Sequence, residues 1–306
     1  MGQVQVRTND SNHVDPVVES YLRTVGLGGY QDQDDFRKRL REKHGPIGEQ
    51  TLQGIAAREE GQAADIYPLK NSTLALSIDV TSQYYNQMHR NFLDWFCRAQ
   101  FPAPKSLLDL GCDNGVLTCF YATRYPAAQV VGIDRCEEGI ACARELAYRL
   151  KLANVRFEVC DLRRLAGTFR KRSFDLILST TVFHEVLGFF EDAPDSGCDV
   201  KGMRPDDPDG VRIVAALAGL LRAGTGTLVS MERCADGEIL ARWIRMLSRA
   251  GLGVDADQST LLSYDNMYNE RETLPIVVAT RGRHPAVHSL KDIRAFRTYE
   301  DAVVDK

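Results

Sequence analysis

The sequence predicts an α/β fold, in which a doubly wound sheet of mainly parallel strands follows a helical N-terminal cap. From about residue 104 onward, apolar β-rich runs alternate with helical patterns, which is typical of parallel strands joined by crossover helices. The first run, 106–110, leads into a glycine-bearing turn, 111–115, and then into a helix. In an open sheet such a turn lies at the ligand-binding edge.

The N-terminal third is expected to hold a leader and a cap. Residues 1–14 lack an apolar run and predict a short disordered leader, and residues 15–103 predict a helical cap or lid. Start and stop signals such as Asp15-Pro16 and Gly26 define its helices. Four helices are predicted, over about 15–26, 34–44, 49–64 and 81–101.

Residues 104–282 are expected to form the sheet domain, and residues 283–306 a C-terminal tail. Seven β-rich runs are candidate strands: 106–110, 130–134, 155–162, 174–186, 226–232, 257–264 and 274–281. The last two runs follow each other without a helix between them. Helical patterns over 211–223 and 239–250 flank the fifth run.

The turn after the first run carries carboxylates. Its pattern is D-x-G-x-D-x-G, from Asp109 to Gly115, and not the G-x-G-x-x-G of a dinucleotide site. Asp109 and Asp113 would repel a phosphate but would attract a cationic ligand that carries no phosphate. The turn therefore favours a nucleoside-bearing cation.

These residues resemble the first motif of the class I S-adenosylmethionine-dependent methyltransferases of the small-molecule type. That motif is an acidic residue followed by G-x-G-x-G, and Asp109, Gly111, Asp113 and Gly115 fall on its positions. Asp113 stands where the family usually has its middle glycine, and Asp adopts left-handed backbone conformations more easily than most residues. The resemblance implies S-adenosylmethionine as cofactor and a Rossmann-like, seven-stranded sheet with an antiparallel last strand.

Three downstream motifs extend the resemblance. Asp134 ends the second run, 25 residues after Asp109, where one carboxylate can accept both ribose hydroxyls. Asp161 and Leu162 match the position that meets the adenine, and Thr180, within the fourth run, is a candidate cofactor contact. Taken singly, each residue also fits a helix cap or a solvated strand end. Four motifs in the expected order favour the cofactor-binding interpretation.

The candidate catalytic residues are His184 and Glu185, at the end of the fourth run, which resembles the motif whose end reaches the transferred methyl group in the family. Either could deprotonate the acceptor, and either could instead have a purely structural role. Thr181, Tyr84 and Tyr85 are the candidate acceptor contacts. The two tyrosines fit simple packing equally well.

The acceptor is expected to be a small molecule that is methylated on oxygen, nitrogen or carbon in specialised metabolism. Residues 190–210 form a long polar segment rich in Asp and Glu, which would favour a cationic amine or guanidine if it overhangs the acceptor site. A solvated loop is the alternative. Two further hypotheses are a nicotinamide-dependent oxidoreductase and a non-catalytic, methyltransferase-like binding protein.

Net charge, hydropathy and the cysteine and histidine patterns indicate which partners and which cellular compartment to expect. The net charge is −4, which argues against a nucleic-acid substrate. The sequence has no apolar stretch of membrane-spanning length, its eight cysteines include no C-x-x-C pair, and its histidines show no metal-ligand spacing. We therefore expect a cytoplasmic protein without a metal or a membrane partner. A homodimer is left open.

Overall fold

The computed structural model describes residues 14–29, 32–62, 65–99, 101–169, 173–187, 208–282, 290–297 and 299. Residues 1–13 of the predicted leader and most of the acidic segment 190–210 therefore lie outside the described residues. The cap contains five helices in its described part: α1 (Pro16–Val25), α2 (Gln33–Glu59), α3 (Tyr67–Lys70), α4 (Leu74–Tyr84) and α5 (Asn86–Arg98).

The sheet domain alternates strands and helices in its first part. These elements are β1 (Ser106–Leu110), α6 (Val116–Arg124), β2 (Gln129–Asp134), α7 (Glu137–Arg149), β3 (Val155–Val159), α8 (Leu165–Thr168), β4 (Leu176–Thr180) and α9 (Phe183–Leu187). The second part contains α10 (Pro208–Leu220), β5 (Thr227–Met231), α11 (Gly237–Arg249), β6 (Leu252–Val254), β7 (Thr260–Asp265) and β8 (Arg271–Arg281). Short 3-10 helices span Leu162–Arg164, Leu290–Asp292 and Arg294–Phe296.

The cap helices follow the predicted signals only in part, and α3 and the first residues of α4 lie where no helix is predicted. The Asp15 side chain accepts a hydrogen bond from the Val17 N–H, and Gly26 ends α1 at a φ of 85°, as the sequence predicts. The two helices predicted over 34–64 join as α2 across a kink at Gly45, whose φ is 59°. The single helix predicted over 81–101 is wrong, because the chain leaves helical geometry at Tyr85, with a φ of −127°, between α4 and α5.

The strands of the described residues form one mixed sheet in the order β3-β2-β1-β4-β5-β8-β6, with β7 also paired to β8. Strands β1 to β5 are parallel, and β8 runs antiparallel to β5, β6 and β7. The predicted parallel core and antiparallel closing hairpin are thus confirmed. The sheet has eight strands, not seven, because the three residues of β6 pair with the end of β8.

Apolar side chains fill both faces of the sheet. On one face, α8, α10 and α11 pack together with the C-terminal residues Leu290, Ile293, Phe296 and Tyr299, which are buried. On the other face, α6 and α7 share a core with the cap helices α1 and α5. The cap is therefore continuous with the sheet core through this face, and the tail is anchored by its buried residues.

No helix in the described part of the chain has the length and hydropathy that crossing a membrane requires.

Candidate active site at the carboxyl edge of the sheet

The turn between β1 and α6 is left-handed at three alternate residues. Gly111, Asp113 and Gly115 have φ values of 64°, 46° and 79°. A Cβ on Gly111 would lie 2.4 Å from Val182, and one on Gly115 would lie 2.7 Å from the Cβ of Ala143. Both glycines are therefore required by backbone conformation and by close packing. Asp113 shows that this turn accepts an aspartate in the left-handed region.

Asp134 ends β2 beside this turn. Its two carboxylate oxygens accept separate backbone hydrogen bonds, from the Asp113 N–H at 2.9 Å and from the Cys136 N–H at 2.8 Å. Burial, followed by the neighbouring charge of Asp113, raises the pKa of Asp134. Each oxygen keeps lone-pair capacity for a further donor, so the carboxylate is oriented but not saturated.

Asp109 lies deeper, at 2% exposure, where the Thr118 hydroxyl donates to it. Burial raises the pKa of Asp109 to about 7, although the hydrogen bond from Thr118 acts in the opposite direction. Asp109 is therefore partly protonated near neutral pH, and its negative charge on the turn is reduced.

Asp161 and Leu162 follow β3. The Asp161 carboxylate accepts a hydrogen bond from the Arg163 N–H at 2.8 Å and so caps the 3-10 helix Leu162–Arg164. Leu162 is buried, at 7% exposure. Together they present one carboxylate and one apolar side chain at the same sheet edge as Asp134.

Glu232 organises the end of β4 and the start of α9. This carboxylate is 1% exposed and accepts hydrogen bonds from the Ser179 hydroxyl at 2.8 Å and from the Phe183 N–H at 3.0 Å. The Nδ1 atom of His184 lies 3.4 Å from the same carboxylate. Glu232 thus caps α9 and fixes the orientation of the His184 ring.

Glu185, the next residue, is bound by the cap. Arg58 donates to its carboxylate at 2.8 Å, and the Tyr67 hydroxyl also donates to it. Burial alone would raise the pKa of Glu185, but the charges of His184 and Arg58 and the hydrogen bonds from the cap lower it below its ordinary value. Glu185 is therefore held as an anion that joins α9 to α2 and α3.

The cap also binds the turn. Lys70, at 1% exposure, places its ammonium 2.5 Å from one oxygen of Asp113, and the Asn71 amide donates to the other oxygen at 2.6 Å. Burial lowers the pKa of Lys70, but Asp113 and nearby groups outweigh this and raise it overall. Both Asp113 oxygens are thus engaged by consecutive cap residues.

A cavity of about 400 Å³ lies between the strand ends and the cap. All of the predicted site residues except Gly115 line it, including Tyr84, Tyr85, Thr180 and Thr181. Thr181 has a φ of 55°, an uncommon conformation for a β-branched residue. The sequence motifs and the candidate acceptor contacts therefore converge on one cavity.

Several cavity residues lie outside the sequence prediction. They come from the cap, the end of β5 and the β7–β8 hairpin: Arg58, Tyr67, Lys70, His89, Arg233 and Glu272. Arg233 directly follows the fifth predicted strand, so its position at a carboxyl end was the one available sequence signal. The cap residues carry no such signal, because only tertiary packing brings them to the sheet.

Two of these residues have buried nitrogens without a hydrogen-bond partner in the described part of the chain, namely His89 Nδ1 and Arg233 Nε. Burial lowers the pKa of His89 to about 4, so its imidazole is neutral. Arg233 lies 4.0 Å from Glu272, which is the far limit of an ion pair. Both nitrogens belong to side chains that line the cavity.

The cavity suits a cationic nucleoside better than a dinucleotide. Asp134 and Asp161 lie along the strand edge, where their carboxylates would repel a pyrophosphate. Asp134 retains acceptor capacity for hydroxyl groups, and Ile133 and Leu162 add apolar surface. Among the described residues, no three histidine, cysteine or carboxylate side chains are placed to share one metal ion.

Comparison with known proteins agrees with this geometry. Residues 103–204 match the family model of a methyltransferase domain. Trans-aconitate 2-methyltransferase of Acidovorax ebreus (strain TPSY) is 30% identical over 106 residues, which are 35% of this chain and 38% of that protein. The enzyme of the same name from Mycolicibacterium gilvum (strain PYR-GCK) is 28% identical over 142 residues, 46% of this chain and 44% of that protein.

The solved structure of an O-methyltransferase family protein from Burkholderia thailandensis has the same fold. It is 14% identical, with a TM-score of 0.50, and the match covers 79% of this chain and 73% of that one. The chain spans less than half the length of the curated relatives it matches. The match of residues 103–204 to a methyltransferase domain confirms the resemblance to methyltransferases that the sequence motifs carry.

Proposed function

We propose that this protein transfers a methyl group from S-adenosylmethionine to a small-molecule acceptor. The observation that carries the proposal is the row of strand-end carboxylates, with Asp134 oriented by two backbone N–H groups, on a cavity of about 400 Å³. S-adenosylmethionine, when bound, supplies a methyl group that its sulfonium already activates. The protein must then bind the cofactor and the acceptor, orient them for transfer and exclude water from the site.

In this proposal the ends of different strands bind different parts of the cofactor. Asp134 would accept the ribose hydroxyls, and Asp161 and Leu162 would contact the adenine. The turn from Gly111 to Gly115 would bring backbone close to the cofactor. Asp109 and Thr180 line the cavity beside it.

His184 is the better candidate for a general base. Its Nδ1 lies against Glu232, an arrangement in which a carboxylate orients the ring and stabilises the imidazolium that forms. Glu185 is already bound by Arg58 and Tyr67, and its lowered pKa makes it a weak base. Its role would be to fasten the cap near the reacting groups.

A small acceptor fits the covered position of the cavity, since α2, α3 and α5 contribute to its wall. Arg233 offers a buried guanidinium donor to that wall, which favours an acceptor with an anionic group. The curated relatives are named for trans-aconitate, an acid. The expectation of a cationic acceptor rests on residues 190–210, most of which lie outside the described residues, and it stays a prediction.

Calorimetry with S-adenosylhomocysteine, the demethylated cofactor, tests the proposal. We expect Asp134→Ala to weaken binding by about 1.5–3 kcal/mol, the usual loss for hydrogen bonds to a charged acceptor. Glu145→Ala, on the exposed side of α7, serves as the control.

Binding of NAD in preference to S-adenosylhomocysteine would favour the oxidoreductase hypothesis. Tight cofactor binding without methyl turnover on any metabolite would favour the non-catalytic one. The cytoplasmic location and a homodimeric state stay predictions.

A further inference from the structure

Asp113 carries the charged contact between the cap and the cofactor turn. Asp113 receives the Lys70 ammonium at 2.5 Å and the Asn71 amide at 2.6 Å through its side chain. Its backbone N–H donates to the Asp134 carboxylate at 2.9 Å. Asp113 therefore connects Lys70 in the cap to Asp134, the carboxylate proposed to bind the ribose, and a shift of Lys70 would change the position of Asp134 through Asp113.

A second set of contacts holds the next residue of the turn. The Asn114 amide donates to the hydroxyls of Ser77 and Thr81, both at 2.8 Å, and the Ser77 hydroxyl donates to the Asn71 side chain at 2.5 Å. Ser77, Thr81 and Asn114 are all nearly inaccessible to solvent. The cap segment from α3 to α4 thus forms a buried polar network built around two turn residues.

Lys70 has little other reason to be buried. A lysine removed from water is costly unless a charge partner and hydrogen bonds compensate it, and Asp113 is the carboxylate that it contacts. The ammonium also lies over the rings of Tyr67 and Tyr85, at 5.0 and 5.7 Å from their centroids. Both rings line the cavity, so the lysine connects the cavity wall to the turn.

We propose that Lys70 is a positioning residue for the cofactor turn, and that its pair with Asp113 couples the position of the α3–α4 segment to cofactor binding. The inference rests on the proposed function only for the identity of the cofactor. A protein whose cap merely covered the cavity would not need a buried cation at the turn. The pair makes the turn geometry depend on the cap.

The test measures S-adenosylhomocysteine affinity by calorimetry in the wild type, Lys70→Met, Asp113→Gly and the double variant. Lys70→Met should weaken binding by at least about tenfold, because it leaves the Asp113 carboxylate without its cation next to Asp134. Glycine accepts the left-handed φ of residue 113, so the double variant should recover most of that loss. Rescue by removing the second charge would not follow from a simple packing defect.

Lys43→Met is the matched control, since Lys43 pairs with Asp79 at 2.7 Å within the cap but is exposed. It should leave the affinity unchanged, and circular dichroism should verify the fold of every variant. If Lys70→Met does not fold, hydrogen exchange on the wild type supplies the measurement. Addition of S-adenosylhomocysteine should slow exchange of the 67–84 amides together with those of 111–115.

Wild-type affinity in Lys70→Met, or losses that simply add in the double variant, would overturn the coupling. So would exchange that slows at 111–115 while 67–84 stays unchanged. A wild-type protein that does not bind S-adenosylhomocysteine at all would instead contradict the proposed function.

Discussion

Asp109 is a carboxyl group almost removed from water, and its ionisation should affect the stability of the whole fold. Its pKa is raised to about 7 in the folded protein by burial, against an ordinary value near 3.8. Between these values the folded state binds more protons than the unfolded state, so the contribution of Asp109 to stability is largest below about pH 4 and is lost as the pH rises through 7. Above that range the contribution of Asp109 is constant.

Asp109→Asn removes this ionisation while keeping an oxygen for the Thr118 hydroxyl. Between pH 4 and pH 8, the free energy of unfolding of the wild type should therefore fall by on the order of 3 kcal/mol more than that of the variant. Urea unfolding across this range measures both. Parallel pH profiles for the two proteins would show that Asp109 does not titrate as its burial implies.

The roles of His184 and Glu185 can be distinguished by kcat and by the pH–rate profile of their variants. His184→Asn should lower kcat by about 10²–10⁴-fold and remove the rising limb of the pH–rate profile, if the acceptor must lose a proton. Glu185→Gln should keep that limb, because its carboxylate serves Arg58 and Tyr67. A lost limb in Glu185→Gln with a normal limb in His184→Asn would reverse the assignment.

The sequence predicts the position of a cavity residue when that residue lies at the end of a strand. Asp109, Asp134 and Asp161 follow apolar runs, and parallel strands bring their carboxyl ends to one edge. Arg58 and Lys70 could not be found in this way, since they reach the site through helices whose packing depends on the whole fold. Their charges are visible in the sequence, but their partners are not.

At the scale of elements, the cap is held by an apolar core that it shares with the sheet. Phe92 in α5 is fully buried and packs in the cluster that includes α6 and β1. Phe92→Ala should therefore lower the free energy of unfolding by about 3–5 kcal/mol. Tyr148→Ala on α7 is the aromatic control, since Tyr148 is 84% exposed and should change stability by less than about 0.5 kcal/mol.

Denaturant unfolding followed by circular dichroism checks both variants. A cap that unfolds in a separate, earlier transition in the wild type would contradict the shared core. The sequence predicts the cap helices well where caps are local, as at Asp15 and Gly26. It does not predict the break at Tyr85, because the flanking residues have continuous helical character.

The strand β6 is also missed by the sequence prediction, because it depends on tertiary pairing and not on a local pattern. Three residues are too few for a period-2 pattern, and Leu252–Val254 becomes a strand only because β8 offers a free edge. β8 is eleven residues long, and it accommodates β6 and β7 on the edge opposite β5. The length of β8 therefore allows it to pair with β6, a strand too short to be predicted from sequence periodicity.

At the scale of the whole molecule, the cavity has two unlike walls. The strand edge is rich in carboxylates, and the cap wall with the end of β5 carries Arg58, Lys70 and Arg233. Arg58 and Lys70 are engaged by Glu185 and Asp113. Arg233 has a more distant carboxylate, Glu272 at 4.0 Å, and a buried Nε without a partner in the described residues.

This charge distribution predicts which variants change acceptor affinity. With a carboxylic acid as acceptor, Arg233→Met should raise KM by roughly tenfold or more with a smaller effect on kcat, because a charge-assisted hydrogen bond is lost on binding. Arg149→Met, at an exposed pair on α7, should not change KM. Neutralising Asp206, Asp207 and Asp209 together should also leave KM unchanged for such an acceptor.

A cationic acceptor reverses this pattern. The triple neutralisation would then raise KM, and added salt would weaken wild-type binding, because the acidic segment would attract the acceptor through solvent-exposed charges. Steady-state kinetics on matched panels of small carboxylic acids and amines, at low and high salt, distinguish the two. Turnover of amines with a KM that Arg233→Met does not change would exclude the acidic acceptor. The proposal of methyl transfer would still hold, since the cofactor wall is built from different residues.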